Sequence, residues 1–252
     1  MARSPWHEEA DLIVVGGSVG GLTAAITAAD KRCRVIVVEH AKELGGGAGA
    51  EPEAIAAPGS RFQQAAGIAD TPARLVDDVQ AASRHHVEAE LVAALAEQGA
   101  PVVAWLADRC GSGVELLPGQ VGGGHSVARL HGPGERGGAS LVADLVRAVT
   151  RHSHITVRLG AIVERLVRDD AGPVRGLAIR ADRRGSSHAL AGSVLLATGG
   201  FVASDELVAA HGPDVAALPP AGPALAIGDG LRLALEAGAQ TRRLGAFLLT
   251  PF

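Results

Sequence analysis

The chain has 252 residues, a formal charge of −4 and 47% apolar side chains, with only 2% aromatic residues and no tyrosine. Its core must be packed from Ala, Val, Leu and Ile, and an acidic balance without a Lys/Arg run excludes the basic surface that a nucleic acid requires. Cys33 and Cys110 share no short motif and read as reduced thiols. The first ten residues, MARSPWHEEA, lack an apolar signal core, and no run approaches the about 18 apolar residues of a membrane span. The expectation is a cytoplasmic protein without membrane or nucleic-acid contact.

Residues 1–10 read as a prefix and 11–252 as one domain. Residues 11–15 (DLIVV) and 35–39 (VIVVE) are continuous apolar runs of the kind that strands buried on both faces require. Between them Leu22 to Ala29 is Ala-rich and helix-forming, which makes a βαβ unit with parallel strands. Residues 41–70 show no period and read as loop. Helices are expected at 72–82, 87–98 and 101–109, followed by a Gly-rich loop over 118–138 and a helix from 139 (ASLVADLVRAV). Short β-runs follow at 155–158, 161–167 and 174–181, with the turn DDAGP between the last two as a hairpin signal. SVLLA at 193–197 is a last buried strand, and helices are expected at 204–211 and 229–238. The fold class is α/β, a Rossmann-like parallel sheet with an inserted β-meander and helical segments.

The turn between the first strand and helix reads G-G-S-V-G-G, residues 16–21. A glycine turn entering a helix lets backbone approach a pyrophosphate, and the helix N-terminus adds N–H groups and partial positive charge. Gly16 permits the tight turn, Gly20 leaves slack and Gly21 allows helix to pack on strand. Ser18 stands where a side chain would crowd the phosphate, and serine is the mildest intrusion. Glu39, at the end of the second strand, is placed to accept from both ribose hydroxyls and disfavours a 2′-phosphate.

Five later segments decide between dinucleotides: 39–72, which contains APGSRFQQAAGI (57–68), GHSVARLHGP (124–133), the meander AIVERLVRDDAGPVRGLAI (161–179), SVLLATGGF (193–201) and AIGDGLRLALEAGA (226–239). In this order they resemble the FAD-binding half of the fumarate reductase/succinate dehydrogenase flavoprotein family, which includes 3-ketosteroid dehydrogenases and urocanate reductases. The resemblance implies noncovalent FAD, with adenosine on the turn and Glu39 and adenine against the meander near Val163. It implies a backbone contact at Ala197, Thr198 and Gly199, and cofactor-binding positions at His40, Gly45, Gly46 and Gly47. It places Asp229 near the flavin; the plainer alternative is a helix-capping or first-turn acid. The implied activity is an oxidoreductase acting on a CH–CH or C=C bond of an unknown small substrate.

Three departures qualify that resemblance. Glu51-Pro52-Glu53 fall where the family has Ser-Gly-Gly, and Ala56 falls on its Trp; no His occurs in 41–60 for a covalent flavin link at that loop. The lack of tyrosine disfavours ketosteroid dehydrogenase chemistry. Phe252 falls about where the family's cap domain begins, so the chain is expected to be catalytically incomplete alone and to contact a second copy or companion subunit through 244–252. A non-catalytic, truncated FAD- or nucleotide-binding protein stays open as an alternative. So does a flavin monooxygenase of the aromatic-hydroxylase type, some of which also carry G-G-S-x-G-G.

The remaining polar residues have bland alternatives. His85 and His86 read as a solvated helix junction rather than a metal site, and Ser126 lacks the nucleophile-elbow motif of a triad serine. His125, Arg129 and His131 either bind an anionic substrate or order their loop, with ordering favoured. Cys110 reads as packed.

Overall fold

The computed structural model describes residues 7–45, 54–84, 86–119, 123–134, 137–169, 172–180, 187–247 and 249. In chain order the first elements are β1 (Glu8–Val15), α1 (Val19–Asp30), β2 (Val35–Val38), β3 (Ile55–Ala56), α2 (Arg61–Ala65), α3 (Pro72–Ala82), α4 (Ala89–Cys110) and β4 (Glu115–Leu116). There follow β5 (Leu130–Gly132), α5 (Gly138–Thr150), β6 (Ile155–Arg158), β7 (Ile162–Arg168), β8 (Val174–Arg180), β9 (Ser187–Leu196), α6 (Asp205–His211) and α7 (Asp229–Glu236). They fall into two compact units, Met1–Gly47 with Val146–Phe252, and Ala48–Leu145.

The first unit is built on a six-stranded sheet of order β6-β2-β1-β9-β8-β7. The first four strands in that order are mutually parallel, with Val15 opposite both Val38 and Leu196. The apolar runs predict this, because a parallel strand is covered on both faces. Alternate residues divide accordingly. Ile13, Val15, Ile36 and Val38 pack on Leu177, Ile179 and Leu190, while Val14, Val35 and Val37 pack on Ala25 and Ala29 of α1. Gly21, Leu22, Ala25, Ile26 and Ala29 form the buried stripe of that helix. Gly21 sits so close that a Cβ there would run into Gly16 O.

The meander joins this sheet edge to edge through β9. Its first half pairs antiparallel with β8, from Arg180↔Ser187 to Gly176↔Ala191, while β1 runs parallel along it from Glu8↔Leu190 to Val15↔Leu196. The strand expected over 193–197 is therefore longer. SHALAG is no apolar run; pairing with β8 from Ser187 to Ala191, joined by β1 at Leu190 and Ala191, extends the strand through it rather than local pattern. Gly192 has φ +154°, and a Cβ there would lie 2.6 Å from Ala10 O. β1 is longer too, so residues 8–10 of the expected prefix belong to the sheet. Near the C-terminal end, Phe247 stacks edge-on against Phe201 at 5.8 Å, over a Gly212 that has no room for a Cβ.

The second unit pairs β3-β5-β4 antiparallel, with α3 packed on α4. Three expectations change here; the loop expected over 118–138 contains β5, which pairs with both β3 and β4. The 41–70 region contains β3 and the short α2, capped by Ser60, whose hydroxyl accepts from Gln63 N–H at 3.1 Å. The helices expected at 87–98 and 101–109 are one, α4, with Pro101 inside it. Its buried residues Val92, Ala96, Gly99, Val103, Leu106 and Cys110 form one stripe across the proline. Among the described residues no helix is long and apolar enough to cross a membrane.

Candidate functional site

Parallel strands leave a crevice beyond their carboxyl ends, where the chain reverses its winding. In the first unit β1, β2 and β9 end at the same level, and a cleft of about 540 Å³ opens there, within the range of small-molecule sites. Gly16 and Ser18 line it from the turn, Glu39, His40 and Ala41 after β2, and Ala161 to Val163 from the start of β7. Ala197 to Gly200 line it after β9, with Pro223 to Ala226, Asp229 and Leu233 from the segment entering α7.

The glycine turn is held at both ends. Gly16 has φ +105°, its N–H donates to Val38 O at 2.8 Å, and a Cβ there would run into Ala197 O. A side chain is excluded on two grounds, conformation and contact. Ser18 is the N-cap of α1, in extended conformation; its hydroxyl accepts from Gly21 N–H at 3.4 Å and donates to Ala197 O at 2.9 Å. Behind the turn, Val19 and Gly20 carry the first N–H groups of a helix, which have no acceptor within it.

Glu39 is buried, at 7% exposure. Its Oε2 accepts from Gly17 N–H and its Oε1 from Ala41 N–H, both at 2.6 Å. Its own backbone is fixed on both sides, N–H to Arg158 O and C=O to Ala161 N–H. Each carboxylate oxygen keeps a second lone pair, so an acid aimed into the cleft can accept from a diol without giving up these bonds. At the rim His40 and Asp229 approach to 3.9 Å, and Arg232 lies 3.9 Å from the other Asp229 oxygen. Asp229 is thus a first-turn acid of α7 and a lining residue at once.

Of the residues singled out in the sequence, Gly16, Ser18, Glu39, His40, Val163, Ala197, Thr198, Gly199 and Asp229 come together on this one cleft. Gly21 packs helix on strand, Gly20 faces open space, and Gly45 (φ +117°) donates its N–H to Gly17 O. Gly46, Gly47 and Glu51-Pro52-Glu53 lie outside the described residues. The sequence reasoning missed Ala41, Leu44, Ala161, Ile162 and the Pro223–Ala226 wall. These are apolar residues without a distinguishing pattern; only the Pro223–Ala226 stretch, just before G-D-G, had a motif beside it to draw attention.

In the second unit Ser126, Arg129 and His131 of GHSVARLHGP order their own surroundings, whereas the buried His125 Nδ1 has no hydrogen-bond partner among the described residues. The Arg129 guanidinium is fully buried, bidentate on Asp70 at 2.8 and 2.9 Å and bonded to Asp78. Ser126 donates to Asp78 through both N–H and hydroxyl, and Gln63 bridges Asp70 and Ala128 O. Burial pushes the Asp78 carboxyl up, but Ser126 and Arg129 outweigh it and hold it at about 2. His131 lies between Arg129 O (2.9 Å) and the Ser60 hydroxyl (2.7 Å), and burial lowers its pKa. The carbonyl can only accept, so Nδ1 carries the proton and Nε2 takes the serine's. With both acids on Arg129, no charge is left over for an anionic substrate.

A family model described as FAD binding domain matches residues 11–251. The chain is 30% identical over 241 residues to a fumarate reductase (cytochrome) of Shewanella frigidimarina, covering 94% of this chain and 41% of that protein. It is 28% identical over 209 residues to a urocanate reductase of Eggerthella lenta, covering 82% and 34%. The solved open conformation of a flavocytochrome c3 fumarate reductase superposes with a TM-score of 0.86 at 29% identity, over 94% of this chain and 42% of that one. The chain thus spans about two fifths of the length of the fumarate reductases it matches.

Proposed function

The chain belongs to the FAD binding domain family, and from that premise we propose that the cleft at the strand ends is its dinucleotide site. It is a fumarate reductase-like flavoprotein domain that binds FAD. The observation that carries the placement is Glu39, a buried carboxylate fixed by two backbone N–H groups and presented to the cleft beside a bare-backbone turn. Such an acceptor suits the vicinal hydroxyls of a ribose. The N-terminus of α1 suits the pyrophosphate that follows it, and the apolar Ala161–Val163 wall suits an adenine face.

Bound there, FAD supplies hydride exchange with a substrate carbon, and the whole protein is an oxidoreductase of a CH–CH or C=C bond. The chain's own part in this is to bind and orient. Attachment is noncovalent, which the absence of His from 41–60 supports at that loop, and the compartment is the cytoplasm.

Calorimetry with ADP and with 2′-deoxy-ADP tests the placement without altering the protein. ADP is expected to bind more tightly by about 1–3 kcal/mol, the range for a hydrogen bond to a charged group. Equal affinities would remove the ribose from Glu39. Acid precipitation of FAD-loaded protein is expected to release all flavin to the supernatant; flavin retained in the pellet would overturn the noncovalent assignment.

A further inference from the structure

Ser18 occupies the middle position of a turn that otherwise follows G-x-G-x-x-G. At φ −69° and ψ 170° it is in ordinary extended backbone, so serine is accommodated there without strain. Its hydroxyl proton goes to Ala197 O at 2.9 Å and its lone pair receives Gly21 N–H at 3.4 Å. From the other end of the turn, the bare α-carbon of Gly16 lies against the same Ala197 carbonyl. Ala197 is itself held, its N–H donating to Val15 O at 2.7 Å. The turn, the first residues of α1 and the end of β9 therefore meet at one hydroxyl and one carbonyl.

We propose that Ser18 is a positioning residue that clamps the turn to the end of β9 and so fixes where a pyrophosphate meets the N-terminus of α1. A glycine or alanine at 18 leaves the turn tied to β9 by contact at Gly16 alone. The bonds of Gly16 to Val38, of Gly17 to Glu39 and of Gly45 to Gly17 still hold the front of the turn, so the freedom gained is that of residues 18–20 at the start of α1. It must be lost when the phosphates bind, and affinity falls accordingly. Serine in this motif thus tightens a phosphate site rather than obstructing it. The proposal rests on the cleft being the dinucleotide site.

The test compares adenosine, ADP and FAD binding by calorimetry in the unaltered chain, Ser18→Ala and Ser18→Thr. Ser18→Ala is expected to weaken ADP and FAD about fivefold while leaving adenosine, which has no phosphate, unchanged. Ser18→Thr, which keeps a capping hydroxyl, is expected to recover most of that loss. If Ser18→Ala binds ADP as tightly as the unaltered chain, or weakens adenosine and ADP alike, the clamp is overturned while the dinucleotide site stands. If the unaltered chain binds neither ADP nor FAD, the site assignment falls and the clamp with it.

Discussion

Glu39, the proposed ribose ligand, is tied to stability by its own hydrogen bonds. Taken as a ribose ligand alone, its loss would leave the protein's thermal stability untouched. In the structure its carboxylate is the acceptor for Gly17 and Ala41 N–H in a buried setting. Glu39→Ala is therefore expected to cost about 1–3 kcal/mol in urea denaturation without any nucleotide present, as two backbone donors lose their partner. Arg129 is a second such residue. Arg129→Met leaves Asp70 and Asp78 facing each other without their cation, and a loss of about 3–5 kcal/mol is expected. The same pair gives a pH signature. Asp78 is held at about 2 in the folded chain, below the value near 3.9 of a free carboxylate, so its contribution is complete above about pH 4 and is lost as pH falls towards 2. Urea midpoints between pH 5 and 2 should drop over that interval, and less steeply in Asp78→Asn. Equal slopes would show that Asp78 does not carry the acid sensitivity.

At the scale of elements, α4 and β9 depart from local pattern for opposite reasons. In α4 the stripe at 92, 96, 99, 103, 106 and 110 alternates steps of four and three, the spacing of one helix face. That spacing is present in the sequence, although Gly99 falls in the gap between the two expected helices and Pro101 at the start of the second. Gly99 is required by packing, because a Cβ there would run into Ala56 O of β3, whereas Pro101 lies on the exposed side of the helix. Gly99→Ala makes the two effects compete. Helix propensity alone predicts a gain of about 1 kcal/mol, whereas backbone cannot yield as a flexible side chain can. A net loss of about 1–3 kcal/mol is expected in chemical denaturation, and a stabilised variant would show that β3 gives way. In β9 the opposite happened. The sequence of 187–192 has no apolar run, and pairing with β8, joined by β1 at Leu190 and Ala191, makes it strand.

At the scale of the molecule, the cleft gathers residues from five separated stretches, around 15–18, 38–44, 161–163, 197–202 and 223–233. Amide hydrogen exchange should follow that list: adding ADP is expected to slow exchange around 16–21, 39–44, 161–163 and 197–200 together. Protection confined to 16–21 would reduce the site to a helix end. By itself the sequence determined the βαβ opening, the parallel sheet, the meander and the acid at the end of β2. All are written in local periods, in a glycine turn and in an apolar run closed by a carboxylate. The Arg129 cluster and the Pro223–Ala226 wall were settled by tertiary structure alone. An arginine's partners lie 51 and 59 residues away, and small apolar residues in a loop look the same whether they line a cleft or face water. What a side chain does with its hydrogen bonds, as Glu39 and Ser18 show, depends on which backbone the fold brings within 3 Å, and no local pattern encodes that.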